Sequence, residues 1–529
     1  MNWLDELDID RAIANVSRDQ LKDWYRDPWG WPENRFIRQG ERGYLAARAK
    51  AVGARRVANL DVPKENFSFR PAVVMDPVDR ILYQALVDRI SRSLVGSMPD
   101  WVHGWRLKRN NPESGHYAGN NLEWDRQRAD LSWLVTLYSH GLKTDIVSCF
   151  ASMPIIRVCE EIERRAGSEH VPSRLISMLE TWDTMPGRYG LPQRSMASSV
   201  IANMFLAPLD HRIGIFNDEN ARPVRKSEKT EKRKAIFASL YPDHLSTRWM
   251  DDIWVFGDDA GALRSLQVEL QKIARDYGLE LNASKTGVYS GDELAELALK
   301  INHSAIDNAL DGKDPDPTPL EELIDAIVND PEGIDRPSVR FATVRMRKQN
   351  LKAKLPLLQE VAPRIPHAAD HLARAFRDFD TWRDLQDWYL DYLDSDWSCF
   401  EWSSAQLGTM FPASAKVEAR LVERLEDAAS ARPSLPMMAL AMQRLCRWKP
   451  SAVKELVRSL HEVADLPHER RLLALAAVAV EDERSLIGEL LSEYEENLVT
   501  LEMIKSASYR PFRVAGDFDG TPKESPQHE

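Results

Sequence analysis

The chain has 529 residues, 43% of them hydrophobic and 29% charged, too long for one compact core, so roughly two to four domains are expected. Its 70 basic and 82 acidic residues give a formal net charge of −12, which excludes a generic nucleic-acid coat and confines such contacts to local basic strips. Cys149, Cys159, Cys399 and Cys446 lack metal-ligand or disulfide-framework spacing, no run of about 18 apolar residues suits a membrane helix, and residues 1–6 lack an apolar signal core; a soluble, cytoplasmic protein without a membrane partner is expected.

In chain order, residues 1–34 read as an N-terminal helical arm rich in Trp and Asp. From 35 to about 135 the chain is Arg-rich; extended segments interrupted by Pro63-Lys64 and Arg70-Pro71 precede a helix over 77–95. Residues 142–150 read as a strand and 195–213 as a helix, and the doubly charged stretch 222–234 reads as an exposed loop. Helical spacing of Leu263, Leu266, Leu270 and Ile273 follows Asp258-Asp259, which suit an N-cap, and Gly278 suits the position that ends such a helix. The Pro-rich stretch 313–319 is the clearest linker. Amphipathic helices follow to about 506, for example 414–428, 434–448 and 452–464, with lengths that suit antiparallel pairs as in a HEAT-like array. The polar residues 509–529 read as a disordered tail. The domain reading is therefore an arm (1–34), a two-part α+β core (35–312), a basic helical region (313–375), a helical repeat domain (376–508) and the tail.

Chemistry concentrates at Arg248-Trp249-Met250-Asp251-Asp252-Ile253, two adjacent carboxylates between β-prone flanks. Such a pair is costly unless something positive sits against it, and a divalent metal is the usual answer. Asp145, in Lys143-Thr144-Asp145-Ile146, supplies a carboxylate at the end of another strand. Carboxylates from two strands are what two metals about 3.5–4 Å apart need to clamp the attacking and leaving oxygens of a phosphoryl transfer. Between these elements lies Gly190-Leu191-Pro192-Gln193-Arg194-Ser195, a tight turn opening a helix; after them, Asn282-Ala283-Ser284-Lys285 offers a lysine. Gly257-Asp258-Asp259 is a competing phase for the metal turn, rejected because a helix rather than a strand follows it.

This order of motifs resembles that of reverse transcriptases over about residues 55–300, and implies their right-hand fold of fingers, palm and thumb. Within the resemblance, Lys64 and Arg70 hold the triphosphate of the incoming nucleotide. Asp145, Asp251 and Asp252 are the catalytic carboxylates, and with the Ile146 main chain they ligate two Mg2+ ions, for which Mn2+ can substitute. Ile146, Phe150 and Gln193 line the deoxynucleotide pocket, with Phe150 as the gate against a ribose 2′-hydroxyl. Lys285 helps to protonate the departing pyrophosphate. Three departures stand out: Trp249 for the usual Tyr, Ser198-Ser199 for Ser-Pro, and Arg194 for the Gly after the Gln, where template packs.

Beyond residue 300 there is no endonuclease-like Cys/His cluster and no RNase H carboxylate set. A polymerase core followed by helices resembles the abortive-infection and defence-associated reverse transcriptases of bacteria. That resemblance implies deoxynucleoside triphosphates as substrate, single-stranded DNA as product, an RNA template or non-coding RNA as a further partner, and homo-oligomers formed through the helical domain. Some such relatives prime from a protein side chain without a template, which makes Tyr389, Tyr392, Tyr494 and Tyr509 candidate hydroxyls. Arg336, Arg340, Arg345, Arg347 and Lys348, with Lys352 and Lys354 beyond them, form a basic strip suited to phosphates, to which Arg194 adds a cation nearer the core. The alternatives are a templated copying enzyme of a mobile element or retron, and a catalytically idle RNA-binding scaffold.

Overall fold

The computed structural model describes residues 3–40, 43–110, 112–187, 190–220, 244–299, 306, 309–310, 316–378, 382–482, 484–506 and 509. The charged stretch 222–234, residues 313–315 of the Pro-rich linker and the tail beyond 509 lie outside them; the linker's last residues, from Thr318, already belong to the helix Thr318–Asn329. No helix among the described residues is long and apolar enough to cross a membrane. The chain forms two compact units: Met1–Asp19, Ala49–Ala54 and Arg80–Ala305 in the first, and Gln20–Arg48, Arg55–Asp79 and Ile306–Glu529 in the second.

Seven strands are described: β1 (Ala58–Pro63), β2 (Phe69–Val74), β3 (Val102–His103), β4 (His140–Thr144), β5 (Ser246–Trp249), β6 (Asp252–Gly257) and β7 (Gly287–Ser290). The first unit is built on a five-stranded sheet in the order β3-β5-β6-β4-β7, antiparallel except for β3 with β5. The run Ile253-Trp254-Val255-Phe256 is apolar without alternation because both faces of β6 are covered. On one face Trp254 and Phe256 pack with Leu131, Leu134 and Leu294; the other takes the Ala260–Asp276 helix, whose Leu263, Leu266 and Leu270 recur at helical spacing and are buried.

The local signals around that helix act as read from sequence. Asp259 caps its start, accepting from the Gly261 N–H at 2.7 Å, whereas Asp258 accepts from Ser139. Gly278 (φ 78°) ends it: its own N–H reaches the Arg275 carbonyl and the Leu279 N–H reaches that of Ala274, the paired bonds of a Schellman cap. Gly257-Asp258-Asp259 thus leads into a helix and forms no metal turn. Two expected elements are corrected. The strand expected over 142–150 ends at Thr144, and Ser148 (φ 48°) turns the chain into a short helix at Cys149. The helix expected over 195–213 is two, Met196–Phe205 and Ala207–Asn220, separated at Leu206.

The second unit holds the β1–β2 hairpin, in which Pro63 pairs with Phe69 and Val62 with Arg70, and an extended run of helices. Their apolar stripes, such as Leu421, Leu425 and Ala429, are buried. From Ala369–Phe376 to Pro467–Ala479 each helix packs on the next but one, and from Ala419–Ser430 onward it packs on the next as well. Ala369–Phe376, Glu401–Gly408, Leu435–Trp448 and Pro467–Ala479 form one layer, and Trp382–Asp394, Ala419–Ser430 and Pro450–His461 the other. The sheet of one unit and the helices of the other make the chain α+β.

Candidate active site

The register of the first unit's sheet brings the three aspartates together. Because Thr144 pairs with Ile253 in the β4–β6 ladder, Asp145 emerges from β4 opposite Asp252, the first residue of β6. Trp249 pairs with Asp252 across β5 and β6, which leaves Met250-Asp251 as a two-residue turn. Met250 has φ 57°, the positive value that two-residue hairpins demand and that an unbranched side chain tolerates better than a β-branched one. Burial, with Asp145 and then Asp252 close by, pushes the Asp251 carboxyl up to about 7.

The fourth element closes on Asp145 by short pairing. The Val147 N–H donates to the Glu280 carbonyl at 2.9 Å and the Asn282 N–H to the Asp145 carbonyl at 2.7 Å. Asn282 also donates from its side chain to Asp145 at 3.4 Å and caps the 3-10 turn Ala283–Lys285 by accepting from Ser284 N. That turn delivers Lys285 Nζ to within 3.2 Å of Asp145 Oδ2. Thr144 and Thr286, hydrogen-bonded at 2.8 Å, pin the two segments beside it.

Gly190 fixes the third element. It has φ 57°, and a Cβ there would lie 2.0 Å from the Phe150 carbonyl, so only glycine permits the approach. The Leu191 N–H donates to that same carbonyl at 2.8 Å, which brings the Gln193 loop against Phe150. The loop is anchored by Arg80, which donates to the Arg194 carbonyl at 3.2 Å, and by Gln84, which accepts from Ala197 N at 3.1 Å. Arg194 is exposed and has φ 57°, the left-handed conformation that glycine adopts freely and arginine does not. The departure from the family pattern at this position is thus felt in the backbone as well as in the side chain.

Asp145, Ile146, Phe150, Gln193, Arg194, Asp251, Asp252 and Lys285 therefore share the first unit. The Ile146 side chain is buried, leaving its main chain to contribute. Lys64 and Arg70 lie on the hairpin of the second unit, Lys64 bonded through its N–H to Ser68 and Arg70 with its guanidinium 5.2 Å from the Trp24 ring. The basic strip is also in the second unit, and part of it is neutralised from afar: Arg336 pairs with Asp370, Arg347 with Asp378 and Lys354 with Asp325, while Arg345 stacks on Phe341. Arg340 is exposed. Of the candidate priming tyrosines, Tyr389 and Tyr392 are buried and donate to the Ser404 and Trp397 carbonyls, so neither hydroxyl can meet a nucleotide in this structure.

Sequence reasoning missed the brace behind the turn. Arg248, fully buried, grips both oxygens of Asp210 at 2.7 Å, the Asn203 side chain at 3.1 Å and the Met250 carbonyl at 2.8 Å. Asn203 donates in turn to the Gly104 carbonyl at 3.0 Å, next to Trp105 and Trp124, whose rings lie 5.6 and 5.3 Å from that of Trp249. The available signal was an arginine inside a strand of otherwise uncharged residues, which requires a buried carboxylate partner.

Among the described residues, no three His, Cys, Asp or Glu side chains form a ready-made metal cage. Magnesium needs none, since it is commonly held by one or two carboxylates with water and substrate phosphates completing the shell. Carboxylates crowded enough to hold a proton near neutrality, against a single lysine, are a donor set that suits such an ion.

No curated protein matches the chain. Residues 62–321, which span the motifs from Lys64 to Lys285, match the family model of reverse transcriptases, the RNA-dependent DNA polymerases, so this part of the chain is similar to reverse-transcriptase domains and to the palm fold that they imply.

Proposed function

We propose that this protein is a DNA polymerase of the reverse-transcriptase type that adds deoxynucleotides by two-metal phosphoryl transfer. The observation that carries the reading is the convergence of Asp145, Asp251 and Asp252 at adjoining strand ends with Lys285 against Asp145. Asp145, Asp251, Asp252 and the Ile146 carbonyl would hold Mg2+, which when bound stabilises charge on the reacting phosphoryl oxygens. Lys285, a cation on a mobile stem, is placed to move from Asp145 to a phosphate and deliver a proton as pyrophosphate departs. Phe150, braced by the Gly190 turn, would exclude a 2′-hydroxyl, and Gln193 would line the same pocket. Lys64 and Arg70 are assigned to the triphosphate by the motif pattern.

The biological setting we infer is bacterial antiphage defence, with oligomers formed through the helical layers; the two-layered stacking of the second unit supports a HEAT-like array. Synthesis without an external template, primed from a side-chain hydroxyl, is favoured by Arg194, a long cation on a glycine-like backbone where template would pack. With Tyr389 and Tyr392 set aside, and the Tyr509 hydroxyl buried as well, Tyr494 remains of the named hydroxyls.

The test is incubation of purified protein with magnesium and labelled deoxynucleotides, with and without added RNA. Incorporation by wild type that vanishes in an Asp251→Asn/Asp252→Asn variant is expected. No incorporation, or equal incorporation by the variant, overturns the polymerase reading. Product that copies the added RNA overturns only the template-free part.

A further inference from the structure

We propose that Trp397 and Phe400, which precede the Glu401–Gly408 helix, are positioning residues for the nucleotide: their rings clasp the tip of the β1–β2 hairpin and so set where Lys64 and Arg70 stand. This rests on the polymerase reading, which assigns those two cations to the triphosphate, and it gives the helical layers a part in nucleotide binding.

The hairpin's tip has an unfavourable backbone. Pro63 and Phe69 are the last paired residues, and the Lys64 N–H closes the loop on the Ser68 carbonyl at 2.7 Å. Within it two consecutive residues are left-handed, Asn66 (φ 55°) and Phe67 (φ 59°). Asparagine tolerates that region, whereas a bulky aromatic stays there only when the surrounding structure holds it. What holds Phe67 is aromatic: its ring lies 5.5 Å from that of Trp397 and 5.9 Å from that of Phe400. Phe69, 47% exposed, adds a contact with Phe400 at 5.6 Å, and Trp397 and Phe400 stack on each other at 6.5 Å. Aromatic pairs at such separations contribute beyond the area they bury.

Polar bonds fix the same tip. The Asn66 N–H donates to the Glu332 carbonyl at 3.2 Å, and the Arg336 N–H donates to the Glu65 carboxylate at 3.4 Å. On the second strand, Arg70 lies with its guanidinium 5.2 Å from the Trp24 ring. That ring is edge-on to Trp402 at 5.8 Å, and the Trp24 carbonyl accepts from Trp402 Nε1 at 2.9 Å. Trp402 belongs to the Glu401–Gly408 helix, which packs along β1. One short stretch, 397–402, therefore meets both the hairpin's tip and the ring against which Arg70 lies. Lys64 and Arg70 flank that tip, one on each side. Flexible cations bind a phosphate well only if the loop that carries them is ordered beforehand, because otherwise ordering it is charged against binding. The rings of Trp397 and Phe400 supply that order.

The full chain is assayed for incorporation over a range of deoxynucleotide concentrations, with melting temperatures measured in parallel. Trp397→Ala should raise KM for deoxynucleotide about tenfold and keep kcat within about twofold, the pattern of a lost binding interaction. Trp397→Phe should restore most of the affinity. Phe67→Asn separates the ring from the turn: it keeps a residue that tolerates the left-handed backbone, removes the clasp, and should raise KM as Trp397→Ala does. Lys64→Ala should raise KM too, and the Lys64→Ala/Trp397→Ala double variant should fall short of the product of the two single effects. Where Trp397→Ala does not fold, Phe69→Ala, at an exposed position, decides instead and should raise KM about threefold. No incorporation by wild type overturns the polymerase reading and the clasp with it. Incorporation by wild type, with KM raised in Lys64→Ala but unchanged in Phe67→Asn and in Trp397→Ala or its Phe69→Ala substitute, overturns the clasp alone. An unchanged KM in Lys64→Ala overturns the clasp as well, since the hairpin would then hold no triphosphate.

Discussion

Two places in this protein concentrate charge under cover, and they are built in opposite ways. In the second unit the buried Arg471 faces Asp27 and Glu33: its nitrogens reach Glu33 at 2.8 and 2.9 Å and Asp27 at 2.6 and 3.3 Å, while Thr500 donates to Glu33 at 2.7 Å. Burial alone would raise the Glu33 carboxyl, yet Arg471 brings it below the usual range. In the first unit Asp251 sits with Asp145 and Asp252, and its carboxyl is driven up to about 7. Both groups are shifted, but the fold satisfies one and leaves the other in deficit. Perturbation alone therefore does not mark a functional site; a charge that the fold leaves unbalanced does.

The largest expected effect lies at the unbalanced corner. Asp251→Asn should reduce deoxynucleotide incorporation by about three orders of magnitude, ~4 kcal/mol of barrier, while the melting temperature holds or rises as repulsion is relieved. A variant that loses stability along with activity would break the contrast, because the corner would then be part of the scaffold. Arg471→Met is the opposite case. It strands two buried carboxylates and should cost about 3–5 kcal/mol by urea denaturation; a near-neutral result would mean that the node is not closed as its hydrogen bonds indicate.

Asp88 offers a third arrangement, a buried carboxylate met by neutral donors: Gln84 at 2.7 Å, Tyr117 at 2.9 Å and Asn15 at 3.0 Å. These donors lower its carboxyl, but burial dominates and raises it to about 7. Between about pH 4 and pH 7 the folded chain retains a proton that the unfolded chain has lost. This group's contribution to stability is therefore full below about pH 4 and falls as pH rises through 7. Wild type should lose on the order of 2–4 kcal/mol relative to Asp88→Asn between pH 4 and pH 8, read as the difference in urea midpoints. Equal pH profiles would show that neutral donors can satisfy a buried carboxylate as fully as Arg471 does.

The readability of these features from sequence follows their range. The Asp251 turn, the Asp259 cap and the Gly278 stop are local patterns within a few residues, and each is found where sequence puts it. The strand end at Thr144 was misjudged because Ile146 and Val147 look β-prone, whereas the chain there makes only an isolated bridge from Ile146 to Leu281 before Ser148 turns it. The interruption at Leu206 carries no Gly or Pro. Long-range partners were hidden altogether. Nothing near Arg248 in sequence points to Asp210, and the absence of acidic residues within 336–354 conceals Asp325, Asp370 and Asp378, which arrive from other segments.

Arg194 carries the smallest effect and sharpens the comparison most finely, since its cost is conformational and not electrostatic. A non-glycine residue at φ 57° pays about 1–2 kcal/mol in local strain, and glycine would remove this at the expense of about 0.5–1 kcal/mol of extra unfolded-state entropy. Arg194→Gly should therefore stabilise by about 0.5 kcal/mol, visible as a small rise in urea midpoint. Its carbonyl should keep the bond from Arg80, which depends on backbone position alone. If the side chain also blocks a template, the same variant should begin to copy added RNA, whereas Arg194→Ala, which removes the cation but keeps the strain, should copy without the gain in stability. Copying by neither variant would mean that Arg194 does not govern template use, leaving the strain at this turn as a purely structural cost.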